Sequence, residues 1–330
     1  MKVHNLTIES GQRDASVHAN PNDYVVSLET PIYDVSQIKL VSARIPTPQL
    51  LICGTNQAFD FDVIFQSLPT QTFGITYSQG NYDGVSLAAG FASVGKINFN
   101  MGYDASKNRF TMGVPTHADG HAISQIKFKF KTGPRGFDDT SAATQTTMHQ
   151  ILGLPALDVS MPGSDFGAAN FDGPNALVLR LSSGSEQLSQ TLPTSGQTPY
   201  YTGHILLPGG SDFVNVNGAD DKLTHNFHSG PLKTISDLRV EFFYMSHGRL
   251  IPYDFRNQDH VLKFEVTCST DKLENLTPLP PPDEEKDEPL PVVSIPEEKG
   301  NLYKVEYIYI GLIIFTGILL ILSMGKKRVV

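Results

Sequence analysis

The sequence predicts a mainly β protein: an antiparallel β-sandwich, jelly-roll-like and built as one or two bodies, with a short helix-hairpin insertion and one C-terminal transmembrane helix. Short apolar or alternating runs separated by Gly, Pro, Asn and Asp predict the strands, and one long uncharged apolar run predicts the membrane helix. The 330 residues are 40% hydrophobic and 18% charged, which is typical of a globular chain. A formal net charge of −9 provides no basic surface for duplex nucleic acid.

The strand pattern recurs along most of the chain. Its clearest instance alternates Ile126, Phe128 and Phe130 with three lysines, so that one face is apolar and the other is charged. The stretch 182–199, rich in Gly, Pro, Ser and Thr, is either a long loop or a junction between two bodies. The predicted strands span residues 23–28, 35–43, 59–65, 126–131, 177–181, 238–244 and 261–266.

Helical spacing is confined to two places. Asp83 is a candidate N-cap for a helix over residues 84–94, and a hairpin formed by residues 96–101 and 109–112 follows it. A second short helix is predicted over residues 147–152, where Gly153 ends it.

The apolar run over residues 307–324 has eighteen residues and no charge. At helical rise it covers about 27 Å, close to the hydrocarbon thickness of a bilayer. Aromatic residues at one end and basic residues at the other are typical of the two membrane interfaces. The predicted anchor residues are Tyr307, Ile310, Leu312, Phe315, Leu319 and Met324, and the interfacial residues are Tyr303, Lys326, Lys327 and Arg328.

Four segments follow from this composition: a β-sandwich over residues 1–276, a stalk over 277–300, the transmembrane anchor over 301–325 and a basic tail over 326–330. The stalk holds seven prolines and seven acidic residues among its 24 residues. Such a segment favours polyproline II and reaches about 75 Å when extended. It is therefore predicted to hold the sandwich away from the bilayer; a proline-rich ligand for a partner domain is the alternative.

Two signals for membrane orientation conflict. The basic tail would place the C-terminal end in the cytoplasm, but the N-terminal sequence lacks a secretory signal pattern. We give the missing signal more weight and expect a tail anchor, with the large domain on the cytosolic side.

Candidate chemical sites are few, and we predict no catalytic site, metal or cofactor and no small-molecule substrate. Asp60 and Asp62 share one face of a strand, where we expect solvent-facing side chains and not an acid-base pair. The pair His225 and His228 lacks a third metal ligand at a suitable spacing. Two cysteines next to apolar runs, Cys53 and Cys268, are expected to be buried thiols, with a disulfide as the alternative.

Three segments together resemble the minor capsid proteins of large icosahedral double-stranded DNA viruses, of the algal and giant-virus type. The order of these motifs along the chain carries the resemblance more than any single motif does. We expect an Arg13–Asp14 ion pair, turns at Gly80-Asn81 and Gly248, and a capped turn at Asp259-His260. The segments are residues 8–14, 20–26 and 38–46, then Gly80-Asn81-Tyr82 with the helix and hairpin, then 235–240, 248–250, 253–255 and 259–266.

The resemblance implies a structural virion protein: a membrane-anchored minor capsid protein that links the icosahedral shell to an internal lipid membrane. Its implied partners are the major capsid protein, other minor capsid proteins and the bilayer, with the basic tail facing lipid headgroups or the genome. The implied location is the internal membrane and inner side of the capsid, and a host intracellular membrane during assembly. Two alternatives stay open: an outward-facing attachment or fusion protein, and a membrane-tethered carbohydrate-active sandwich.

Overall fold

The computed structural model forms one compact unit over Met1–Lys272 and a second over Leu273–Val330. It describes residues 2–91, 94–139, 143–162, 165–184, 186–188, 202–218, 223–227, 233–269, 309–310 and 312–316. The first unit is mainly β, and its named sheets are antiparallel, which confirms the predicted class.

Ten strands form the larger sheet. They are β1 (Lys2–Glu9), β2 (Asp23–Pro46), β11 (Ala176–Ser183), β12 (Glu186–Leu188), β13 (Gly203–Leu206), β14 (Phe213–Asn217), β15 (Thr224–Asn226), β16 (Lys233–Ser246), β17 (Arg249–Pro252) and β18 (Val261–Cys268). The main strand order is β1-β18-β2-β16-β11-β12.

The smaller sheet has four strands in the order β10-β9-β3-β4. Two short pairs, β5 with β8 and β6 with β7, accompany it. Their bounds are β3 (Ala58–Phe65), β4 (Gln71–Thr76), β5 (Ile97–Asn98), β6 (Met101–Asp104), β7 (Arg109–Met112), β8 (Thr116–His117), β9 (Ile123–Lys129) and β10 (Val159–Met161).

Strand β2 joins two segments that the sequence predicts as separate strands. One edge of β2 pairs with β18, and the other pairs in turn with β16, β15 and β14. Between the Ile235–Ile32 and Asp237–Ser27 pairs, residues 28–31 have no counterpart in β16 and form a bulge. Pro31 lies in this bulge, where the amide hydrogen it lacks is not needed for the ladder. Pro31, which lies between the two predicted strands, is therefore accommodated within the single strand β2.

Strand β1 pairs with β18 along its whole length, from Lys2 opposite Cys268 to Glu9 opposite Val261. The first and last strands of the unit are therefore neighbours, and β18 lies between β1 and β2.

The insertion contains the predicted helix and a hairpin, both with corrected bounds. Helix α1 (Gly84–Gly90) begins with a capping box between Asp83 and Ser86 but ends four residues early. The first arm of the hairpin is β6, which pairs with β7, whereas the predicted arm at 96–101 contains β5, which pairs with β8. The predicted helix at 147–152 is wrong: residues 148–153 form turns, in which Leu152 bonds back to Met148 and Gly153 has a φ of 67°. A single helical turn is unstable unless further hydrogen bonds extend it. Here the left-handed Gly153 ends the turn directly after Leu152.

Two further turn predictions have opposite outcomes. His247 and Gly248 connect β16 to β17 with φ values of 42° and 81°, the left-handed pair typical of a tight hairpin. Gly80 is instead in an antiparallel bridge with Ile52, so the prediction of a turn there is wrong. Asn81 supports that bridge, because its side-chain oxygen accepts the Leu51 amide.

Each main sheet has its own hydrophobic core. The four-stranded sheet buries an aromatic cluster in which Phe59 contacts Phe91, Phe128 and Phe130 at ring-centroid distances of 5.2–6.2 Å. The ten-stranded sheet buries a second cluster, rich in Leu, Ile and Val, whose largest members are Tyr24, Phe242, Tyr253, Phe255 and Phe264. Both cores lie within the single compact unit Met1–Lys272.

We expect Phe59→Ala to lower the free energy of unfolding by about 3–5 kcal/mol, because it removes a fully buried ring and leaves a cavity. The matched control is Val114→Ala, at a side chain that is 74% exposed, which should change it by less than about 0.5 kcal/mol. Chemical denaturation of the full chain in detergent measures both. Equal shifts for the two variants would contradict the assignment of this core.

Candidate functional site

Residues from the first and last resembling segments meet in one cluster, which we call the chain-end cluster: Ser10, Arg13, Tyr24, Asp259 and His260. Ser10 begins a 3₁₀ turn (Ser10–Gln12) after β1, and Tyr24 is the second residue of β2. Asp259 and His260 directly precede β18. Sequence separations of up to 250 residues thus close to hydrogen-bonding distance.

Ser10 links the two ends of the β unit by three hydrogen bonds. Its hydroxyl donates to Asp259 Oδ1 at 2.9 Å and accepts the His260 amide at 2.9 Å. Its own amide donates to the His260 carbonyl oxygen at 3.0 Å. The expected capped turn at Asp259-His260 is wrong: the turn before the last strand lies at residues 256–257, and Asp259 and His260 instead bond to the segment after β1.

Arg13 pairs with Asp259 and not with the neighbouring Asp14, so the predicted Arg13–Asp14 ion pair is wrong. Arg13 Nη1 is 2.8 Å from Asp259 Oδ1 and also donates to the Ser10 carbonyl oxygen. Asp14 instead accepts from the hydroxyl and amide of Ser16, and these bonds lower the pKa of its carboxyl. Asp14 therefore stabilises the local turn with Ser16, whereas Arg13 makes the long-range contact with Asp259.

His260 is buried in the centre of the cluster. Its Nε2 is 2.9 Å from the Tyr24 hydroxyl, and its ring lies 4.8–4.9 Å from the rings of Phe242 and Phe255. Burial lowers the pKa of His260 to about 3 and raises that of Tyr24, so both side chains are neutral at physiological pH. With 1% of its surface exposed, His260 presents no reactive nitrogen to solvent and serves to hold chain segments together.

Asp60 and Asp62 lie side by side on β3 as predicted, but neither is the freely solvated acid that we expected. Asp60 is buried, accepts the Arg135 amide at 3.0 Å and lies 3.7 Å from its guanidinium. Asp62 accepts from the Thr72 hydroxyl at 2.6 Å and lies 3.7 Å from Lys129. Both carboxylates are therefore engaged by hydrogen-bonding and cationic partners within the β unit.

The three lysines of the predicted 126–131 strand are likewise paired. Lys127 is 3.3 Å from Asp158, and Lys131 is 3.9 Å from Asp138, while Lys129 faces Asp62. The outer face of β3 and β9 is therefore a ladder of alternating charges and not a basic surface.

A pair formed by the buried His149 and the half-buried His247 was not foreseen from the sequence. His149 and His247 lie 6.0 Å apart, with Phe137 stacked on His247 at 4.0 Å. His149 Nδ1 is 2.9 Å from the Thr147 hydroxyl, and His247 Nδ1 is 3.0 Å from the Ser246 hydroxyl. Burial lowers the pKa of each imidazole to about 4. An isolated histidine in an apolar segment is the only local signal of such a pair.

The remaining candidates divide between described and undescribed residues. His225 lies in β15, opposite Ile38 of β2, whereas His228 is outside the described residues. Cys53 and Cys268 are free and buried, which confirms the prediction of thiols and contradicts the disulfide alternative.

Part of the predicted anchor is described. Residues 309–310 and 312–316 are helical, and Ile310, Leu312 and Phe315 are 52%, 59% and 66% exposed. The Thr316 hydroxyl donates to the Leu312 and Ile313 carbonyl oxygens, as helical threonines do. Among the described residues, no helix has the length and apolar character needed to cross a bilayer. Tyr303, Tyr307, Leu319, Met324, Lys326, Lys327 and Arg328 lie outside the described residues.

Solved structures that are distantly similar to this chain include the two that follow. No protein-family model matches the chain, and no curated protein matches it significantly. The mavirus penton protein is similar over 81% of this chain and 99% of its own, with 13% identity and a TM-score of 0.36. A chain of the Sputnik virophage structure is similar over 81% and 97%, with 9% identity and a TM-score of 0.31. Both TM-scores are too low for these likenesses to bear on the function of this chain.

We expect Tyr24→Phe to lower the free energy of unfolding by about 1–3 kcal/mol, because it leaves His260 Nε2 buried without its partner. Tyr33→Phe is the matched control, since the Tyr33 side chain is 60% exposed and should tolerate the loss of its hydroxyl. Chemical denaturation at pH 7.5 compares the two. Indistinguishable midpoints for both variants and the wild type would remove His260 from its structural role.

The buried histidines predict a loss of stability in mild acid. The pKa values of His149, His247 and His260 lie below the usual 6.5, so the folded state binds fewer protons than the unfolded state. Their contribution is complete above about pH 6.5 and falls as the pH decreases toward about 4. Thermal unfolding at intervals from pH 7.5 to 4.5 measures the slope. We expect a flatter slope for His247→Gln and an unchanged slope for His4→Gln; parallel curves for all three proteins would contradict this.

Proposed function

We propose that this chain is a structural virion protein, a membrane-anchored minor capsid protein that links an icosahedral shell to an internal lipid membrane. The observation that carries the proposal is the chain-end cluster. Motif residues that resemble minor capsid proteins, although separated by more than 200 positions, bond to one another around Ser10 and His260. Unrelated chance matches would have no reason to meet in one cluster.

The same cluster supports a mechanical role and not a catalytic one. Its histidine is buried and bonded to Tyr24, and its carboxylate is engaged by Ser10 and Arg13. The engaged states of Asp60 and Asp62 weaken the alternative of a carbohydrate-active sandwich. In the proposed assembly the β unit, arranged as a jelly-roll-like sandwich, docks on the major capsid protein and on other minor capsid proteins.

The C-terminal segments supply the link to the bilayer. The stalk over residues 277–300 spans up to about 75 Å between the β unit and the anchor, and the apolar run 307–324 enters the membrane. Lys326, Lys327 and Arg328 then face anionic headgroups or the packaged genome. During assembly the chain is held in a host intracellular membrane with the β unit on the cytosolic side, and in the particle the β unit lies on the inner side of the capsid.

Membrane extraction tests the anchor. We expect the full chain, expressed in cells, to stay with the membrane pellet in alkaline carbonate. The double variant Ile313→Arg and Leu319→Arg should be released, because each arginine near the centre of the helix costs about 2.5–3.5 kcal/mol of insertion. Ile313→Leu with Leu319→Ile preserves the apolar character and should remain in the pellet. Release of the wild-type chain to the same extent as the arginine variant would contradict membrane anchoring.

A further inference from the structure

A compact group of potential metal ligands is formed by residues outside the chain-end cluster. His117 is the last residue of β8, and Asp119 and His121 follow it at intervals of two residues. Gly120 takes a φ of 79°, and its amide bonds back to the His117 carbonyl oxygen at 2.9 Å. This turn reverses the chain direction within residues 117–120 and brings the three side chains close to one another.

The three ligand atoms, one from each side chain, lie within 4.8 Å of one another. His117 Nδ1 is 4.0 Å from Asp119 Oδ2 and accepts the Asp119 amide at 3.1 Å, and the two imidazole rings lie 5.2 Å apart at an angle of 47°. Ligands of a tetrahedral zinc ion with bonds of about 2.0–2.1 Å are separated by roughly 3.3 Å. Closing the site around an ion therefore requires that the metal replace the Asp119 amide on this nitrogen and that the exposed Asp119 and His121 side chains rotate toward it.

Both imidazoles rest on one buried ring. Phe65 contacts His117 and His121 edge-on, at ring-centroid distances of 5.5 and 6.3 Å. Phe65 is only 6% exposed and belongs to the core of the four-stranded sheet, so it limits the positions that the imidazoles can take. A ligand set held against a rigid core loses less entropy on binding than one on a free loop.

We propose that His117, Asp119 and His121 form a binding site for a divalent transition-metal ion of the zinc class. Two imidazoles and one carboxylate are a common protein donor set for zinc. Three protein ligands leave a further coordination position for water. A metal ion there would fasten the connection between β8 and β9 to the core. This site goes beyond the proposed virion role and does not depend on it.

Lys96 controls access to the carboxylate. Its ammonium lies 2.6 Å from Asp119 Oδ2. A metal ion must therefore displace Lys96 or use the other carboxylate oxygen. Removal of the lysine charge should consequently strengthen metal binding.

Calorimetric titration of the metal-free full chain in detergent with zinc chloride tests the site. We expect saturable binding of one ion, and a loss in affinity of at least about tenfold in His121→Ala and in Asp119→Asn. His18→Ala, a histidine outside the group, should bind as the wild type does, and Lys96→Met should bind more tightly. Circular dichroism of each variant reports that the fold is retained; His121 and Asp119 are exposed, so it should be.

Cobalt(II) provides a second measurement that does not depend on a substitution. Visible absorption of the cobalt-loaded wild type should show imidazole-carboxylate ligation, and zinc should displace it. An absence of saturable zinc binding overturns the proposal. Wild-type affinity in either His121→Ala or Asp119→Asn also overturns it, because the zinc would then bind elsewhere on the chain.

Discussion

The pairing of the two ends of the β unit is the interaction on which the rest of the structure depends. Strand β1 pairs with β18 along its whole length, and β18 pairs with β2, the longest of the described strands. At the end of β1, Ser10 joins Asp259 and His260 by three hydrogen bonds. Since β2 also organises β14, β15 and β16 on its other edge, this contact sets the register of most of the larger sheet.

This arrangement relates stability to burial of polar groups. His260, His149 and His247 are all enclosed by aromatic rings and are held neutral. A buried neutral imidazole with a hydroxyl partner specifies one arrangement of its neighbours at little cost, but becomes costly once it is protonated. The fold is therefore most stable at neutral pH. Its loss of stability in acid is expected to come from these three histidines and not from the surface as a whole.

Local patterns explain what the sequence could predict. The alternation of Phe and Asp in β3 and of Phe and Lys in β9 is a property of neighbouring residues, as is the Asp83 cap of α1. Long-range partners cannot be inferred from neighbouring residues. The sequence predicts that Arg13 pairs with the adjacent Asp14 and that residues 23–28 and 35–43 are separate strands, whereas Asp259 and the partner strand β16 come from distant positions. The His117-x-Asp119-x-His121 spacing is visible in the sequence, but it predicts a ligand group only if the chain turns at Gly120, which the sequence alone does not establish.

Cryo-microscopy of purified particles tests the proposal that the β unit and its anchor connect a capsid to a membrane. We expect density for Met1–Lys272 on the inner side of the shell, in contact with capsid proteins, with a thin connection to the internal bilayer. Density for the unit on the outer surface of the particle would overturn the proposal. So would particles that lack the protein while infected-cell membranes contain it.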